Sequence, residues 1–252
     1  MADKPKRQKR YDLGAAERRR NLAIQIGGTA VVVIFAVALV LYIVTSHDKK
    51  GSGEGQAVRV ASSSLMTKPG TTEPKATVSF YEDFLCPACG NFERGFGPTI
   101  GKLIDMGAIA ADYSMVAILD SSRNKDYPSR AGAAAYCVAD ESIEAFRRFH
   151  TALFSKDIQP AETDSVFPDN MRLLEIAREA GAAGKVRGCI NGEQYLGKVK
   201  GMAAAARVNA TPTIKINGQD YDPSTPEQFV AKIREIVGDV PGLSSAVTPA
   251  AS

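Results

Sequence analysis

Three stretches of the chain have the residue pattern that is typical of β-strands. Residues 75–84, KATVSFYEDF, are rich in β-branched and aromatic side chains that alternate with polar ones. Residues 108–119, AIAADYSMVAIL, predict a second strand, and residues 213–216, TIKI, predict a third. The Asn217-Gly218 pair that follows is typical of a two-residue hairpin turn, so a further short strand is expected after it.

Apolar residues three and four positions apart predict helices between and after these strands. The first covers residues 90–107, GNFERGFGPTIGKLIDMG, in which Pro98 predicts a kink. Further helical stretches are expected at about 128–139, 141–155, 169–180, 184–207 and 225–237. The order is therefore β-α-β, a helical block, and β-β-α, which predicts an α/β domain with a central sheet.

Residues 22–44, LAIQIGGTAVVVIFAVALVLYIV, form a run of 23 residues without a charge. As a helix with about 1.5 Å of rise per residue, the run would measure roughly 35 Å, which is enough to cross a bilayer. A cleaved signal peptide is the alternative, but its apolar region is only about 7–15 residues long. The sequence after the run, TSHDKK, also offers no clear cleavage site, so we predict a transmembrane anchor.

Charge gives this anchor an orientation. Residues 1–20 hold eight lysines and arginines against three acidic residues, which predicts a cytoplasmic N-terminus and an extracytoplasmic remainder. The rest of the chain has no net basic excess, so a nucleic-acid-binding function is not expected. The predicted parts are a basic head (1–21), the anchor (22–44), a flexible linker (45–73), one domain (74–238) and a disordered tail (239–252).

Cys86 and Cys89 form a Cys-x-x-Cys motif between the first predicted strand and the first helix. The N-terminus of a helix favours an anion, because its N–H groups are unpaired and its dipole is positive there. We therefore expect a low pKa for Cys86, which makes it the reactive thiolate, and a more buried position for Cys89. Pro87 suits the first helical position, because the N–H that it lacks would have no partner there.

A zinc site is an alternative use of a Cys-x-x-Cys motif. It would need two further ligands, and the candidates are Cys137, Cys189, His47 and His150. The two cysteines among them are far apart in the sequence instead of forming a second close pair. His150 lies on an apolar helix stripe, where a histidine is more often part of the core than a ligand. We therefore predict neither a metal nor another cofactor.

Cys137 and Cys189 are predicted to form a structural disulfide. An extracytoplasmic domain is in an oxidising environment, and the number of cysteines is even. Closing a loop of about 53 residues would contribute on the order of 4 kcal/mol to stability in the chain-entropy description. The alternative is two separate buried thiols.

With these residues identified, two segments resemble a known family. VSFYEDFLCPACGNFE resembles the active-site segment of the DsbA-like thiol–disulfide oxidoreductases of the thioredoxin superfamily, with Pro87 and Ala88 between the cysteines. NATPTIKING resembles the loop in which a cis-proline of that family packs against the motif, which implies a cis bond between Thr211 and Pro212. The resemblance implies a thioredoxin fold with a helical insertion at about residues 122–207.

The sequence departs from this family in two ways. Many relatives carry a buried acid six residues before the first cysteine, and Phe80 occupies that position here. Glu82 and Asp83 are the candidate proton acceptors instead, and the alternative is that both are carboxylates at the edge of a loop. Ala88 stands where the strong oxidants of the family have a histidine that donates to the thiolate, which implies a milder oxidant.

The resemblance implies an enzyme that introduces disulfides into unfolded or reduced secreted proteins through Cys86 and Cys89. It implies as partner a membrane quinone-linked oxidase of the DsbB or VKOR kind, which would restore the disulfide. One alternative is a reductase or isomerase on the same fold, for example in cytochrome c maturation. Another is a module that binds client proteins without catalysis.

Overall fold

A five-stranded sheet lies at the centre of residues 57–247, the part of the chain that this computed structural model describes. In chain order its strands are Val58–Val60 (β1), Thr77–Glu82 (β2), Ala110–Met115 (β3), Thr213–Ile216 (β4) and Gln219–Asp220 (β5). The spatial order is β1-β3-β2-β4-β5. In this order β2 occupies the middle of the sheet. β2 and β3 are parallel, and the other neighbouring strands are antiparallel.

Strand β2 leads directly into the segment that contains Cys86 and Cys89. Its burial alternates, and Val78, Phe80 and Glu82 point into the core. Phe80 lies opposite Ile214 of β4 on one side and opposite Tyr113 of β3 on the other. The inward face of β2 is therefore apolar until its last residue, which is a glutamate.

Helices surround the sheet and form a separate block between β3 and β4. The helices of the described residues are Pro87–Asp105 (α1), Tyr127–Glu141 (α2), Ile143–Leu153 (α3), Asn170–Glu179 (α4), Val186–Asn191 (α5), Leu196–Ala206 (α6) and Pro226–Val237 (α7). α1 connects the parallel strands β2 and β3, as a parallel pair requires. α2 to α6 form the helical insertion, and the α/β architecture agrees with the sequence pattern.

One predicted helix is wrong in its extent. The stretch 184–207 contains two helices, α5 and α6, instead of one. α5 ends at Asn191, with Gly192 as its C-cap, and Glu193 has a φ angle of 50°, in the left-handed region that interrupts helical hydrogen bonding. The apolar spacing continues across this break, and for that reason the periodicity predicts a single helix.

Helix α3 has the clearest amphipathic pattern of the insertion. Its inward stripe consists of Ala145, Phe146, Phe149 and Leu153, all fully buried. His150 lies on the same stripe and is only 3% exposed. α3 therefore brings one titratable side chain into an otherwise apolar contact with the sheet.

Ordered structure extends beyond residues 74–238 at both ends, and on the N-terminal side it is a short strand that the apolar residues at 57–61 already suggest. Part of the predicted linker is structured, because β1 pairs with β3 and Arg59 forms an ion pair with Asp112 at 2.7 Å. Part of the predicted disordered tail is structured as well, since Leu243–Ala246 form a 3-10 helix. Leu243 is 1% exposed and packs in the core, so a single large apolar residue suffices to hold this segment.

None of the helices in residues 57–247 is long and apolar enough to cross a membrane. The predicted anchor at residues 22–44 and the basic head before it lie outside the described residues.

Candidate active site

Cys86 and Cys89 lie where β2 ends and α1 begins. Cys86 is the N-cap residue of α1, and Pro87 is its first helical residue. Cys89 has no exposed surface, whereas 7% of Cys86 is exposed and Pro87 and Ala88 are fully at the surface. Both cysteines are free thiols. A second protein can therefore reach the sulfur of Cys86 but not that of Cys89.

The loop before β4 lies against this dithiol. The peptide bond between Thr211 and Pro212 is cis. Sγ of Cys86 donates to the carbonyl oxygen of Thr211 at 3.3 Å. Residues 125 positions apart in the sequence thus form one site, with the backbone of the proline loop beside the reactive sulfur.

The surroundings of Cys86 favour its thiolate. A hydrogen bond from the Cys89 thiol lowers the pKa of Cys86 to about 5, against the opposing effect of burial. The side chain of Thr211 and the N–H groups of Cys89 and Ala88 lower the pKa further. These N–H groups belong to the first turn of α1, where no carbonyl of the helix can accept from them.

The surroundings of Cys89 favour its neutral thiol instead. Burial raises its pKa far above the ordinary range, and its hydrogen bond to Cys86 and the negative potential of Glu82 act in the same direction. Cys89 is therefore a thiol whenever Cys86 is a thiolate. Any reaction that makes a thiolate of Cys89 needs a proton acceptor or donor close to it.

Asp83 is one of the two predicted candidates for that role, and its carboxylate is already occupied. Oδ1 accepts from the N–H of Leu85 and Oδ2 accepts from the N–H of Leu119, both at 2.9 Å. Burial raises the pKa of Asp83 to about 7 despite these two bonds. Asp83 is thus a buried structural clamp between the motif loop and the segment after β3.

Glu82 is the other candidate, and it belongs to a buried cluster. Oε2 of Glu82 lies 2.9 Å from Nε2 of His150, and Nδ1 of His150 lies 3.8 Å from Oε2 of Glu93. Burial raises the pKa of Glu82 to about 8 and raises that of Glu93 well above its usual value. Burial lowers the pKa of His150, so the cluster favours neutral side chains.

The alternative of two carboxylates at the loop edge is wrong, because Glu82 is 2% exposed and Asp83 has no exposed surface. Glu93 has no place among the predicted site residues, although the sequence holds a signal for it. It follows Cys89 by four positions, so both side chains lie on the same inward face of α1. His150 lies in the core as its stripe predicts, and its contact with Glu82 depends on the packing of α3 on β2.

Glu82, Glu93 and His150 are also residue types that bind metals, and one potential ligand atom of each lies within 4.8 Å of the others. This cluster does not include the cysteines considered for zinc in the sequence. Cys137 and Cys189 are joined by a disulfide, with 5.7 Å between their Cα atoms, and they link α2 to α5. Their sulfurs are therefore committed to the helical insertion.

Gln159, in the segment after α3, holds the motif in place. Its side-chain amide donates to the carbonyl oxygens of Phe84 at 3.3 Å and of Cys86 at 3.0 Å. Its own oxygen accepts from Arg94 of α1 at 2.9 Å. A Cβ on Gly90 would overlap this oxygen, so the glycine leaves the space that Gln159 occupies. Nothing in the local sequence indicates this contact.

A free dithiol at the N-terminus of a helix, beside a cis-proline loop and a buried acid, defines a thiol–disulfide oxidoreductase on a thioredoxin fold. The comparisons with known proteins agree with this class. The thioredoxin family model matches residues 66–235, so the chain belongs to this family.

Two solved structures are similar to most of this chain. DsbA from Mycobacterium tuberculosis in its reduced form is 70% identical, and the match covers 77% of this chain and 98% of that chain, with a TM-score of 0.75. The reduced form of DsbG from the same organism is 68% identical over 81% of this chain and 98% of that chain, with a TM-score of 0.76. The chain is therefore a thiol–disulfide oxidoreductase of the DsbA type.

More distant proteins share only parts of this similarity. MdbA from Corynebacterium matruchotii, a thiol–disulfide oxidoreductase, is 22% identical with a TM-score of 0.58 over 70% of this chain and 89% of that chain, which shows a shared fold. The serine/threonine-protein kinase PknE of M. tuberculosis is 30% identical over 139 residues, or 54% of this chain. The chain spans a quarter of the length of these curated relatives, since the match covers 25% of the kinase.

Proposed function

We propose that this protein is an extracytoplasmic oxidase that introduces disulfides into unfolded or reduced secreted and membrane proteins through Cys86 and Cys89. The observation that carries the proposal is the pKa of Cys86, which its surroundings lower to about 5. A stabilised thiolate stabilises the reduced dithiol relative to the disulfide. The disulfide is then a stronger oxidant, because the free energy of its reduction becomes more favourable.

The first step is an attack on Cys86. A thiolate of the substrate forms a bond with Sγ of Cys86, the bond between Cys86 and Cys89 breaks, and Cys89 leaves with the electron pair. Exposure supports this assignment, because Cys86 is the accessible sulfur. Thr211 and Pro212 would hold the backbone of the substrate beside the mixed disulfide.

Cys89 leaves as a buried thiolate and has to take up a proton. Glu82 is the suitable donor, because it interacts electrostatically with Cys89 and because burial raises its pKa to about 8, so it holds a proton at neutral pH. Asp83 is less suited, since both of its oxygens accept backbone hydrogen bonds. Glu82 returns to the role of base when Cys89 has to attack during reoxidation.

The second step releases the product. A second substrate thiol attacks the substrate sulfur of the mixed disulfide, the substrate disulfide forms, and Cys86 leaves as a thiolate. Two electrons and one proton then remain on the Cys86–Cys89 pair. Ala88 cannot donate a side-chain hydrogen bond to Cys86, so the Cys86–Cys89 disulfide that we propose is a moderately strong oxidant.

An oxidant has to be reoxidised, and the proposal includes a membrane quinone-linked oxidase of the DsbB or VKOR class as the electron acceptor. The uncharged run at residues 22–44 supports a single-pass anchor in the cell membrane, and the basic residues before it support a cytoplasmic N-terminus. Such an anchor would keep the domain close to this oxidase and to proteins that emerge from the secretion machinery.

The redox potential of Cys86–Cys89 tests the direction of the reaction. The full-length chain, purified in mild detergent, is equilibrated with glutathione buffers and its free thiols are trapped and counted, with Cys86→Ser as the control. A potential of about −120 to −180 mV supports the oxidase, whereas about −270 mV would favour a reductase. A dithiol that never equilibrates would contradict catalysis and leave a client-binding module.

A further inference from the structure

The buried cluster of Glu82, Glu93 and His150 contains more titratable groups than the protonation of Cys89 requires. It begins at Glu82, at the end of β2, and reaches Glu93 of α1 both through His150 of α3 and through a hydrogen bond between the two carboxyl groups. Two oxygens of the cluster, Oε1 of Glu82 and Oε1 of Glu93, are buried and have no hydrogen-bond partner within residues 57–247. Orphan carboxylate oxygens are costly, and the cost is smaller when the carboxyl group is protonated.

A cavity of about 500 Å³ adjoins the far end of the cluster, between α1 and α3. Glu93 and His150 line it, but Glu82 does not. Its lining also includes Thr151 and Lys156, which are exposed at the surface. The cavity therefore connects the buried end of the cluster with solvent, and neither Cys86 nor Cys89 lines it.

We propose that His150 and Glu93 pass protons between Glu82 and this cavity, so that the proton of buried Cys89 is exchanged with solvent through the α1–α3 cavity and not through the substrate-binding face. The inference rests on the proposed role of Glu82. It assigns two further residues, the relay residues His150 and Glu93, to the exchange reaction. A substrate protein that covers Cys86 would then leave the proton route open.

The transfer balances without any other reactant. After Glu82 has given its proton to Cys89, Nε2–H of His150 donates its proton to Glu82 while Nδ1 takes one from Glu93. Glu93 recovers a proton from water in the cavity, and the imidazole changes only its tautomer. Reoxidation of the dithiol reverses each transfer, so a full redox cycle restores the starting tautomer.

The present geometry allows these transfers. The contact between Glu82 and His150, at 2.9 Å, is a hydrogen bond. The 3.8 Å between His150 and Glu93 exceeds one, but a small side-chain rotation would close it, as such contacts often tighten during a reaction. The other titratable or charged groups around the cluster or its cavity are Cys86 and Cys89 at the start of α1, Arg94 of α1, Tyr113 of β3, Arg147 of α3 and Lys156 after α3.

The two arginines beside the cluster have other partners. Arg94 donates to the carbonyl oxygen of Phe154 at 2.7 Å. Arg147 is paired with Asp105 at 2.8 Å. The Tyr113 ring packs against the imidazole of His150 at a centroid distance of 4.7 Å, and burial raises its pKa, so its hydroxyl stays neutral.

The test follows the reaction of Cys86 and the later reaction of Cys89 separately. The reduced full-length protein is mixed with oxidised glutathione and quenched with acid, and mass spectrometry follows first the Cys86–glutathione adduct and then its conversion by Cys89 into the intramolecular disulfide. Glu93→Gln and His150→Gln are expected to slow the conversion at least tenfold at neutral pH, since general acid–base groups contribute about 10²–10⁴-fold. Formation of the adduct should keep its rate, because Cys86 needs no proton acceptor.

Matched variants make the outcome specific. Glu144→Gln, an exposed position on α3, should convert the adduct at the wild-type rate and with the wild-type pH profile. If Glu82→Gln is slow while both relay variants behave like the wild type, the relay is overturned and the proposed oxidase stands. If the wild type forms no adduct, the proposed function itself fails.

A spectroscopic measurement covers the case in which His150→Gln does not fold. Redox-induced infrared difference spectra of the wild type, labelled at its glutamate carboxyl groups, should show two protonated carboxyl groups whose C=O bands shift on reduction, because the change of tautomer reverses their hydrogen bonds to His150, and Glu93→Gln should remove one of these bands. A single responding carboxyl group, unaffected by Glu93→Gln, would contradict the relay. So would one zinc ion bound per wild-type chain but not per Glu93→Gln chain, because a metal would displace the protons.

Discussion

Sγ of Cys86 lies 3.3 Å from the carbonyl oxygen of Thr211, the residue before the cis-proline. This contact ties the start of α1 to the start of β4. It places a backbone acceptor and a side-chain hydroxyl next to Cys86, the more accessible of the two motif cysteines. The reactivity of Cys86 therefore depends on two segments that neither propensity nor spacing connects.

We expect the thiolate absorbance of reduced Cys86 to titrate with a midpoint near pH 5, because hydrogen bonds from Cys89, Thr211 and the first turn of α1 lower its pKa to about 5. Because the pKa of Cys86 is lower in the folded than in the unfolded protein, ionisation of Cys86 stabilises the folded reduced protein fully above the unfolded pKa. This stabilisation is lost as the pH falls to about 5. In denaturant unfolding, the difference in stability between the reduced and the oxidised protein should narrow as the pH falls from about 9 to about 5 and stay constant below that. A midpoint above pH 8 would contradict the proposed oxidase.

Glu82→Gln should stabilise the protein at alkaline pH. Burial raises the pKa of Glu82 to about 8, so the wild type loses stability as pH rises from about 4.5, where the unfolded carboxyl ionises, to about 8. Glutamine removes this loss, which amounts to on the order of 2–4 kcal/mol by pH 8. Urea unfolding at a series of pH values checks the prediction, and a pH-independent difference between the two proteins would contradict it.

Gly90→Ala should destabilise the active-site end of α1 by about 1–3 kcal/mol, because a Cβ there collides with the amide of Gln159 that holds the carbonyl of Cys86. Gly95→Ala is the matched control in the same helix, since a Cβ at Gly95 would meet no atom within 4 Å. It should raise stability by about 0.5–1 kcal/mol through helix propensity. Equal effects of the two substitutions in denaturant unfolding would show that the contact with Gln159 is unimportant.

Replacing both Cys137 and Cys189 with serine should cost on the order of 4 kcal/mol of stability in the chain-entropy description, because the disulfide closes a long loop between α2 and α5. The glutathione equilibrium of Cys86–Cys89 should stay unchanged, since the disulfide lies in the helical insertion. Denaturant unfolding measures the first effect and thiol trapping the second. A shift in the redox equilibrium would mean that the insertion controls the dithiol.

Local patterns predict the parts of the site that depend on neighbouring residues. The alternation in residues 75–84 predicts β2, and the Cys-x-x-Cys motif with Pro87 predicts a dithiol at the N-terminus of α1, where both now lie. The extent of the ordered region is harder to predict, because β1 is held by its pairing with β3 and the segment around Leu243 by packing in the core, in both cases against residues distant in sequence. Composition alone indicates a linker and a tail there.

Sequence by itself determined the order of strands and helices, the motif, and the identity of the two reactive sulfurs, because these follow from periodicity and from covalent spacing. Only the tertiary structure decided which carboxylate serves Cys89. It turns both oxygens of Asp83 to backbone N–H groups and turns Glu82 to His150. Glu82 is the last residue of β2 and points into the core, whereas Asp83 already belongs to the loop that follows, so two adjacent buried acids have different contacts. Which groups the two carboxylates contact depends on how α1 and α3 pack against the sheet.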